Sequence, residues 1–411
     1  MKLTSLIVHR IILGMLFFSW SLVTAASKNN NYYYVDYEVN LQPATKTAQV
    51  AINLRKNAQF IRSIRLKVDS QRYLNFKGSG QVKVKEDFVL WQPNGKPGSL
   101  TYTVKMNHQR KSGRYDSIIT DSWALFRGFD IIPQLRVDMQ DGTQSKAKLL
   151  FKMPKSWSIA TPYIRYTSGA YKVDHPKSAF DRPKGWIVAG DIGVKRETIK
   201  GIKVAVGAPK KQSARRLDIL AMLNWNLPVF LDIFPDFPKR INIVSANDPM
   251  WRGALSGPSS LFLHADRPLI TEDGTSPPIH ELIHVAMSAR AEPGHDWLVE
   301  GLAEYYSLEI MRRSGTITQE RFEKSIKEQV SRGKKISKLK VARSYGPITA
   351  KAVGILYKVD QEIRQRTHNK ASLDNVIRAL ANPNIAITLQ EAQKITEKLV
   401  GAPLESLQNI R

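Results

Sequence analysis

The chain has 411 residues, enough for two or three domains with their own cores. It contains no cysteine, which excludes disulfides, thiolate metal ligands and a cysteine nucleophile. The formal net charge is +26. No nucleic-acid partner is expected, because the basic residues between 334 and 343 are not interleaved with base-stacking aromatics. An anionic envelope surface or an acidic polymer is the better candidate for this charge, beside simple solubility.

Residues 1–26 have the pattern of a secretory signal peptide. Lys2 and Arg10 form a basic start, an apolar run follows, and Val23-Thr24-Ala25 offers a small-residue cleavage site. An uncleaved anchor is the alternative, although the run is short for a membrane span. No later segment approaches transmembrane length. The sequence therefore predicts an exported protein, periplasmic or extracellular, with no transmembrane helix after signal removal.

Residues 27–207 have the two-residue period of β-strands. Apolar and polar residues alternate in runs separated by turn signals, as at 35–41, 64–68, 100–106 and 135–139. Many short strands of this kind favour an antiparallel β-sandwich. No catalytic constellation occurs here, so we expect this domain to be structural or to position a substrate.

Residues 208–213 resemble a linker, after which the period becomes helical. One buried helix face is predicted from Leu217, Ile219, Leu220, Leu223 and Trp225. Short strands are expected at 240–244 and 261–265. We expect a second domain over 214–315 and a helical C-terminal part over 316–411, with helices near 319–330, 348–366, 375–380 and 390–399.

The chemistry of the chain is concentrated in His280-Glu281-Leu282-Ile283-His284. Residues four apart share a helix face, so both histidines can present a ring nitrogen to one ion. Glu281 is placed to take a proton from water at that ion. Ser276 is a suitable N-cap and Pro277 suits the first helical position. The motif predicts a metal site on a helix.

A catalytic zinc ion needs a third protein ligand. His295, beside Pro293-Gly294, is one candidate. Glu300 is another, about one turn into a second helix for which Asp296 is a plausible N-cap. His264 is expected to be a sheet residue, because no spacing ties it to the motif.

The motif followed by Trp297-Leu298-x-Glu300-Gly301 resembles the gluzincin zinc peptidases. It is most similar to the glycyl aminopeptidase family and the related aminopeptidase N family. Residues 155–161 and 372–376 extend this resemblance to the glycyl aminopeptidases. The resemblance implies a multidomain α+β protein, with the N-terminal antiparallel β-sandwich followed by a thermolysin-like zinc-peptidase domain and a helical C-terminal part. It also implies one zinc ion per chain held by His280, His284 and Glu300, and a peptide or protein substrate. Glu304, one turn on, is expected to orient a histidine.

The chain departs from these families in three ways. Their acidic Gly-x-Met-Glu-Asn motif, which holds the substrate's amine, is matched by residues 253–257, where no acid occurs. Their Tyr-x-Lys-Gly segment, which supplies an oxyanion-stabilising tyrosine, is matched by residues 349–352, with Tyr345 one turn earlier as a substitute. The end of the chain at Arg411 also leaves no room for the extra C-terminal domain that glycyl aminopeptidases often carry.

Two functions follow from these features. The first is an exported zinc metallopeptidase with Glu281 as general base and Tyr345 helping to stabilise the oxyanion. The alternative is a non-catalytic zinc-binding envelope protein that binds peptides or an anionic polymer. Glu281 favours the enzyme, because a purely structural site needs no base.

Overall fold

A computed structural model describes residues 31–175, 178–382, 385–408 and 410. The expected signal peptide lies outside these residues. Within the described part of the chain, no helix is long and apolar enough to cross a membrane. The fold is a mixed α+β structure in which strands dominate the first half and helices the second.

The first half of the chain is built almost entirely from strands. They are β1 (Asn31–Gln42), β2 (Thr47–Leu54), β3 (Ile61–Lys67), β4 (Tyr73–Gly78), β5 (Gln81–Val84), β6 (Phe88–Gln92), β7 (Gly98–Lys105), β8 (His108–Gln109), β9 (Tyr115–Ile119), β10 (Trp123–Arg127), β11 (Leu135–Met139), β12 (Thr143–Lys152), β13 (Ser158–Ala160), β14 (Ile164–Arg165), β15 (Tyr171–Val173) and β16 (Trp186–Gly190). One short helix, α1 (Gly128–Ile131), interrupts them.

The second half adds one sheet and a group of helices. Its strands are β17 (Ile192–Ile199), β18 (Ile202–Pro209), β19 (Arg240–Ala246), β20 (Ala254–Gly257) and β21 (Ser260–His264). Its helices are α2 (Arg216–Ile233), α3 (Pro277–Met287), α4 (Asp296–Arg313), α5 (Gln319–Gly333), α6 (Pro347–Arg366), α7 (Leu373–Leu380) and α8 (Leu389–Val400).

Three sheets enclose the first apolar core. Their strand orders are β14-β15-β12-β1-β2-β7-β4, β11-β3-β6-β5 and β13-β16-β10-β9-β8. Strand β1 shows why they pack, since Tyr33, Val35, Tyr37 and Val39 are all fully buried while the residues between them are half-buried. The expected antiparallel pairing holds for the described strand pairs of these sheets except β1 and β12, which run parallel.

The predicted boundary at residue 207 falls inside β18. The hairpin β17–β18 belongs to the sheet of the second half, of order β17-β18-β19-β21-β20, because β18 pairs in parallel with β19. The two-residue period of 192–209 looks the same as that of the earlier strands, so the period reveals the strands but not the sheet that they join. Residues 208 and 209, predicted as linker, are the end of β18.

The buried face of helix α2 agrees only in part with the one predicted. Ile219, Leu220 and Leu223 are buried as expected, but Leu217 and Trp225 are 63% and 67% exposed. The prediction that these two residues are buried is therefore wrong. Leu227 and Phe230 continue the buried face at helical spacing.

Helix α3 begins as its sequence predicts. Ser276 is the N-cap, its hydroxyl accepts a hydrogen bond from the Ile279 amide at 3.4 Å, and Pro277 starts the helix. In α4, Asp296 is the first helical residue and His295 occupies the cap position, so the expected Asp296 cap is displaced by one residue. The Asp296 carboxylate instead accepts a hydrogen bond from the Ser344 amide at 2.7 Å, which ties the start of α4 to the segment before α6.

Candidate metal centre

Helices α3 and α4 bring three ligand-type side chains together. The Nε2 atoms of His280 and His284 lie 3.1 Å apart, and Glu300 oxygens lie 3.3 Å and 3.6 Å from them. Each of the three residues offers one ligand atom, and these three atoms all lie within 4.8 Å of one another. This is the one such group among the residues that the structure describes. Two imidazole nitrogens and a carboxylate oxygen are a donor set typical of catalytic zinc.

Glu304 contacts His280 on the side of its ring that faces away from the other two residues. Its Oε2 lies 2.8 Å from Nδ1 of His280, the ring nitrogen turned away from the shared centre. This is the arrangement that fixes the tautomer and the orientation of a metal-binding histidine. Burial would lower the pKa of His280, but its hydrogen bonds to Glu300 and Glu304 raise that pKa well above its usual value. Burial would likewise raise the pKa of Glu300, yet the two imidazoles hold it well below its usual value.

Glu281 lies on the same turn of α3 as the histidines but turns toward β20. It is 8% exposed, and its Oε2 accepts a hydrogen bond from the Ser256 amide at 2.7 Å. Strand β20 lies at the edge of its sheet, so the amide of Ser256 is available to this carboxylate. The 253–257 stretch thus holds Glu281 through its backbone. No spacing in the sequence indicated this contact, because it joins residues 25 positions apart.

A cleft of about 320 Å³ opens at the centre, and His280, Glu281, Glu300 and Glu304 all contribute to its lining. The other lining residues come from the β20 edge, the loop before α3, helix α5 and the start of α6; they are Trp251, Arg252, Gly253, Ala254, Arg267, Thr271, Thr275, Pro277, Gln329, Arg332, Ser344, Tyr345, Gly346, Thr349 and Ala350. Tyr345 therefore borders the cleft, but it is 72% exposed.

The two other histidines considered from the sequence lie outside the group. His264 is 1% exposed on β21, as expected for a sheet residue, and its Nδ1 accepts a hydrogen bond from the Asp266 amide. His295 occupies the cap position of α4, and both of its ring nitrogens are buried without a hydrogen-bond partner. Of the two candidate third ligands, the structure brings only Glu300 to the histidines.

The sequence left several cleft residues unidentified. Arg252, Arg267 and Arg332 line the cleft, and so does Gln329. They lie between 13 and 48 residues from the motif, on segments with no recognisable spacing to it. Only their arrangement in the fold brings them to the site.

Comparison with solved structures shows a shared fold. The chain is similar to an aminopeptidase N family protein from Idiomarina loihiensis, with a TM-score of 0.66 and 15% identity over 84% of this chain and 70% of that one. It is also similar to Legionella pneumophila aminopeptidase A solved in complex with aspartic acid, with a TM-score of 0.51 and 13% identity over 91% of this chain. The chain spans 48% of that second protein. No protein-family model matches the sequence, and no curated protein matches it.

Proposed function

We propose that this protein is an exported, zinc-dependent metallopeptidase. The observation that carries the proposal is the convergence of His280, His284 and Glu300 from two helices beside the carboxylate of Glu281. The fold shared with two proteins described as aminopeptidases supports the same conclusion. Export rests on the sequence of residues 1–26.

The residues fit a zinc ion. Three donors of the preferred types lie close enough to bind one ion, and Glu304 fixes the ring of His280. Opening on a cleft leaves one side of the group accessible, as a catalytic site requires. Zinc in this site would supply a Lewis acid that polarises a carbonyl group and acidifies water.

The remaining chemistry belongs to the chain itself. Glu281 accepts the proton of the attacking water and passes it to the leaving amine. The Ser256 amide holds Glu281 in position before the substrate binds. The exposed edge of β20 offers backbone groups to an extended peptide, which would add as a further strand. Tyr345 can reach the oxyanion only if its exposed side chain folds inward over the cleft.

The test replaces Glu281 with glutamine. Glu281→Gln keeps the shape of the side chain and can still accept the Ser256 hydrogen bond, but it is not a useful base. Hydrolysis of a mixed peptide library should fall by about 10²- to 10⁴-fold. Zinc content, measured by atomic absorption, should stay at one ion per chain.

Two results would contradict the proposal. A zinc-loaded wild-type protein that cleaves no peptide at neutral pH would leave a binding protein instead of an enzyme. Activity that survives Glu281→Gln would remove Glu281 as the base. Glu320→Gln, the same substitution on the exposed start of α5, is the control for effects of charge alone.

A further inference from the structure

One wall of the cleft is polar and includes no residue of the candidate metal group. It consists of Thr275, Gln329, Arg332, Ser344 and Thr349, and we call it the α5 wall because helix α5 supplies its central residues. Four of these side chains already have partners. Ser344 and Thr349 bond each other through their hydroxyls at 3.0 Å, while Thr275 and Arg332 both contact Asp273, at 3.0 Å and 2.6 Å.

Gln329 differs from its neighbours on this wall. The residue is 2% exposed, and its Nε2 is buried with no hydrogen-bond partner. Several buried polar atoms of the described residues lack partners, but only Gln329 among them belongs to a residue that lines the cleft. A buried amide donor without an acceptor is costly, so such groups are rare and call for an explanation.

We propose that Gln329 is a specificity-determining residue whose amide binds an oxygen acceptor on a substrate side chain. The inference rests on the peptidase function proposed above and adds the substrate class. The acceptor is an asparagine or glutamine side chain in preference to an aspartate or glutamate. The reason is that Arg332, the cation on this wall, is already neutralised by Asp273. A neutral amide therefore meets a wall whose unpartnered donor is the buried Gln329 amide and whose arginine is already paired.

The alternative is that Gln329 is merely a structural residue of α5. A structural glutamine would use its amide within the protein, and its replacement by an apolar residue of similar size would destabilise the fold. If the amide is kept for a ligand, Gln329→Leu removes an unpaired donor. The free energy of unfolding without peptide then stays the same or rises. Measuring both the free energy of unfolding and the peptide preference of Gln329→Leu therefore distinguishes a structural role from a role in specificity.

The experiment measures peptide binding to the zinc-loaded Glu281→Gln protein, so that no substrate is consumed. Labelled N-acetylated peptides carry asparagine, aspartate or leucine at each position in turn, and affinity is read by fluorescence polarisation. We expect asparagine to bind about 10-fold more tightly than leucine at one position, as one buried hydrogen bond allows. At that position, the peptide with aspartate should bind less tightly than the peptide with asparagine. Adding Gln329→Leu should abolish or reverse this preference, while leaving affinity at the other positions unchanged.

Gln319→Leu is the matched control. It is the same substitution on the same helix, but Gln319 is exposed and its amide donates to Glu323 at 2.9 Å. This control should keep the asparagine preference. A preference that survives Gln329→Leu, or no position that distinguishes asparagine from leucine, overturns the inference, as does the absence of any peptide binding. Aspartate binding more tightly than asparagine overturns the choice of a neutral side chain.

The cleavage assay of the wild-type protein distinguishes this failure from failure of the peptidase function. Peptide cleavage without a Gln329-dependent preference leaves the enzyme intact and removes only the subsite. A Gln329-dependent preference in binding, with no cleavage by wild type, leaves the subsite intact and removes the enzyme.

Discussion

At the scale of single residues, the site depends on side chains that each have a defined partner. Glu300 lies between the two imidazoles, Glu304 contacts the far side of one of them, and Glu281 contacts the β20 backbone. Three glutamates close to one another therefore have three different environments. These different environments, not the shared chemistry of the three side chains, are the basis on which we propose a ligand, an orienting residue and a base.

These environments predict how zinc binding responds to mutation. Glu300→Ala removes one of three ligand side chains and should lower zinc affinity sharply. Glu304→Gln keeps a hydrogen-bond acceptor for His280 but removes a charge, so the loss should be about 10- to 100-fold at most. Competition with a chelator of known affinity measures the zinc affinity of both variants. Full zinc affinity in Glu300→Ala would remove Glu300 from the ligand set.

A half-buried histidine in the first half of the chain predicts a pH dependence of stability. Burial, followed by the charge of Lys184, lowers the pKa of His175 to about 4. Its Nε2 lies 3.0 Å from the carbonyl of Arg182, so the neutral ring can donate to that carbonyl. Because the unfolded chain takes up this proton near pH 6.5 and the folded chain does not, stability should fall as pH drops from 6.5 toward 4.

The contribution of His175 is isolated by His175→Gln, which can also donate to the carbonyl. Between pH 7.5 and 4.5, the free energy of unfolding of wild type, measured in urea, should fall by about 2–3 kcal/mol because of this group. The loss should be smaller in the variant by about that amount. Equal losses in both proteins would show that His175 is not kept neutral by the fold.

At the scale of elements, the site depends on how closely α4 packs against α6. Gly301, directly after Glu300, faces Ala352 and Leu356, and a Cβ at residue 301 would lie 2.6 Å from the Cβ of Ala352. Glycine is therefore required there by close approach of two helices. Helix α4 is therefore held against α6 directly beside Glu300, the proposed third ligand.

Gly301→Ala should therefore disturb both stability and the metal site. The added methyl group forces α4 and α6 apart, at a cost of about 1–3 kcal/mol in the free energy of unfolding, and it moves Glu300 with the helix. Urea unfolding and chelator competition measure the two effects. Gly354→Ala is the control, since its Cβ would meet Cγ2 of Val330 at 3.0 Å, a milder contact than the one of 2.6 Å at residue 301. Unchanged zinc affinity in Gly301→Ala would separate Glu300 from this packing.

Local patterns predicted the elements of the fold better than their assembly. The spacing of His280 and His284, the cap at Ser276 and the strands at 240–244 and 261–265 all depend on neighbours in sequence, and the structure has each of them. The sheet joined by β17 and β18 depends on pairing with a strand some 40 residues later. Gln329 reaches the cleft only because α5 packs beside α6. Such contacts leave no periodic signal in a single sequence.

At the scale of the whole molecule, the excess of positive charge bears on the choice of substrate. The chain carries 62 lysine and arginine residues against 36 acidic ones. Arg252, Arg267 and Arg332 line the cleft, although Arg252 is paired with Asp248 and Arg332 with Asp273. The lining carboxylates are Glu281, Glu300 and Glu304. All three of those are engaged at the metal centre. Among the described lining residues, no carboxylate is left to pair with a substrate ammonium group.

We therefore predict internal cleavage of peptides. An unpaired ammonium in the cleft would be costly, and the net positive charge of the whole chain would disfavour it further, although salt screens the long-range part. N-acetylated peptides should be cut at least as well as free ones, and mass spectrometry of the products from one peptide in both forms measures this. Raising the salt concentration should narrow any advantage of the acetylated form, because it screens the repulsion. Single residues released in sequence from the free peptide alone would contradict the prediction. That result would require an acid outside the described lining, such as Glu272, to bind the amine.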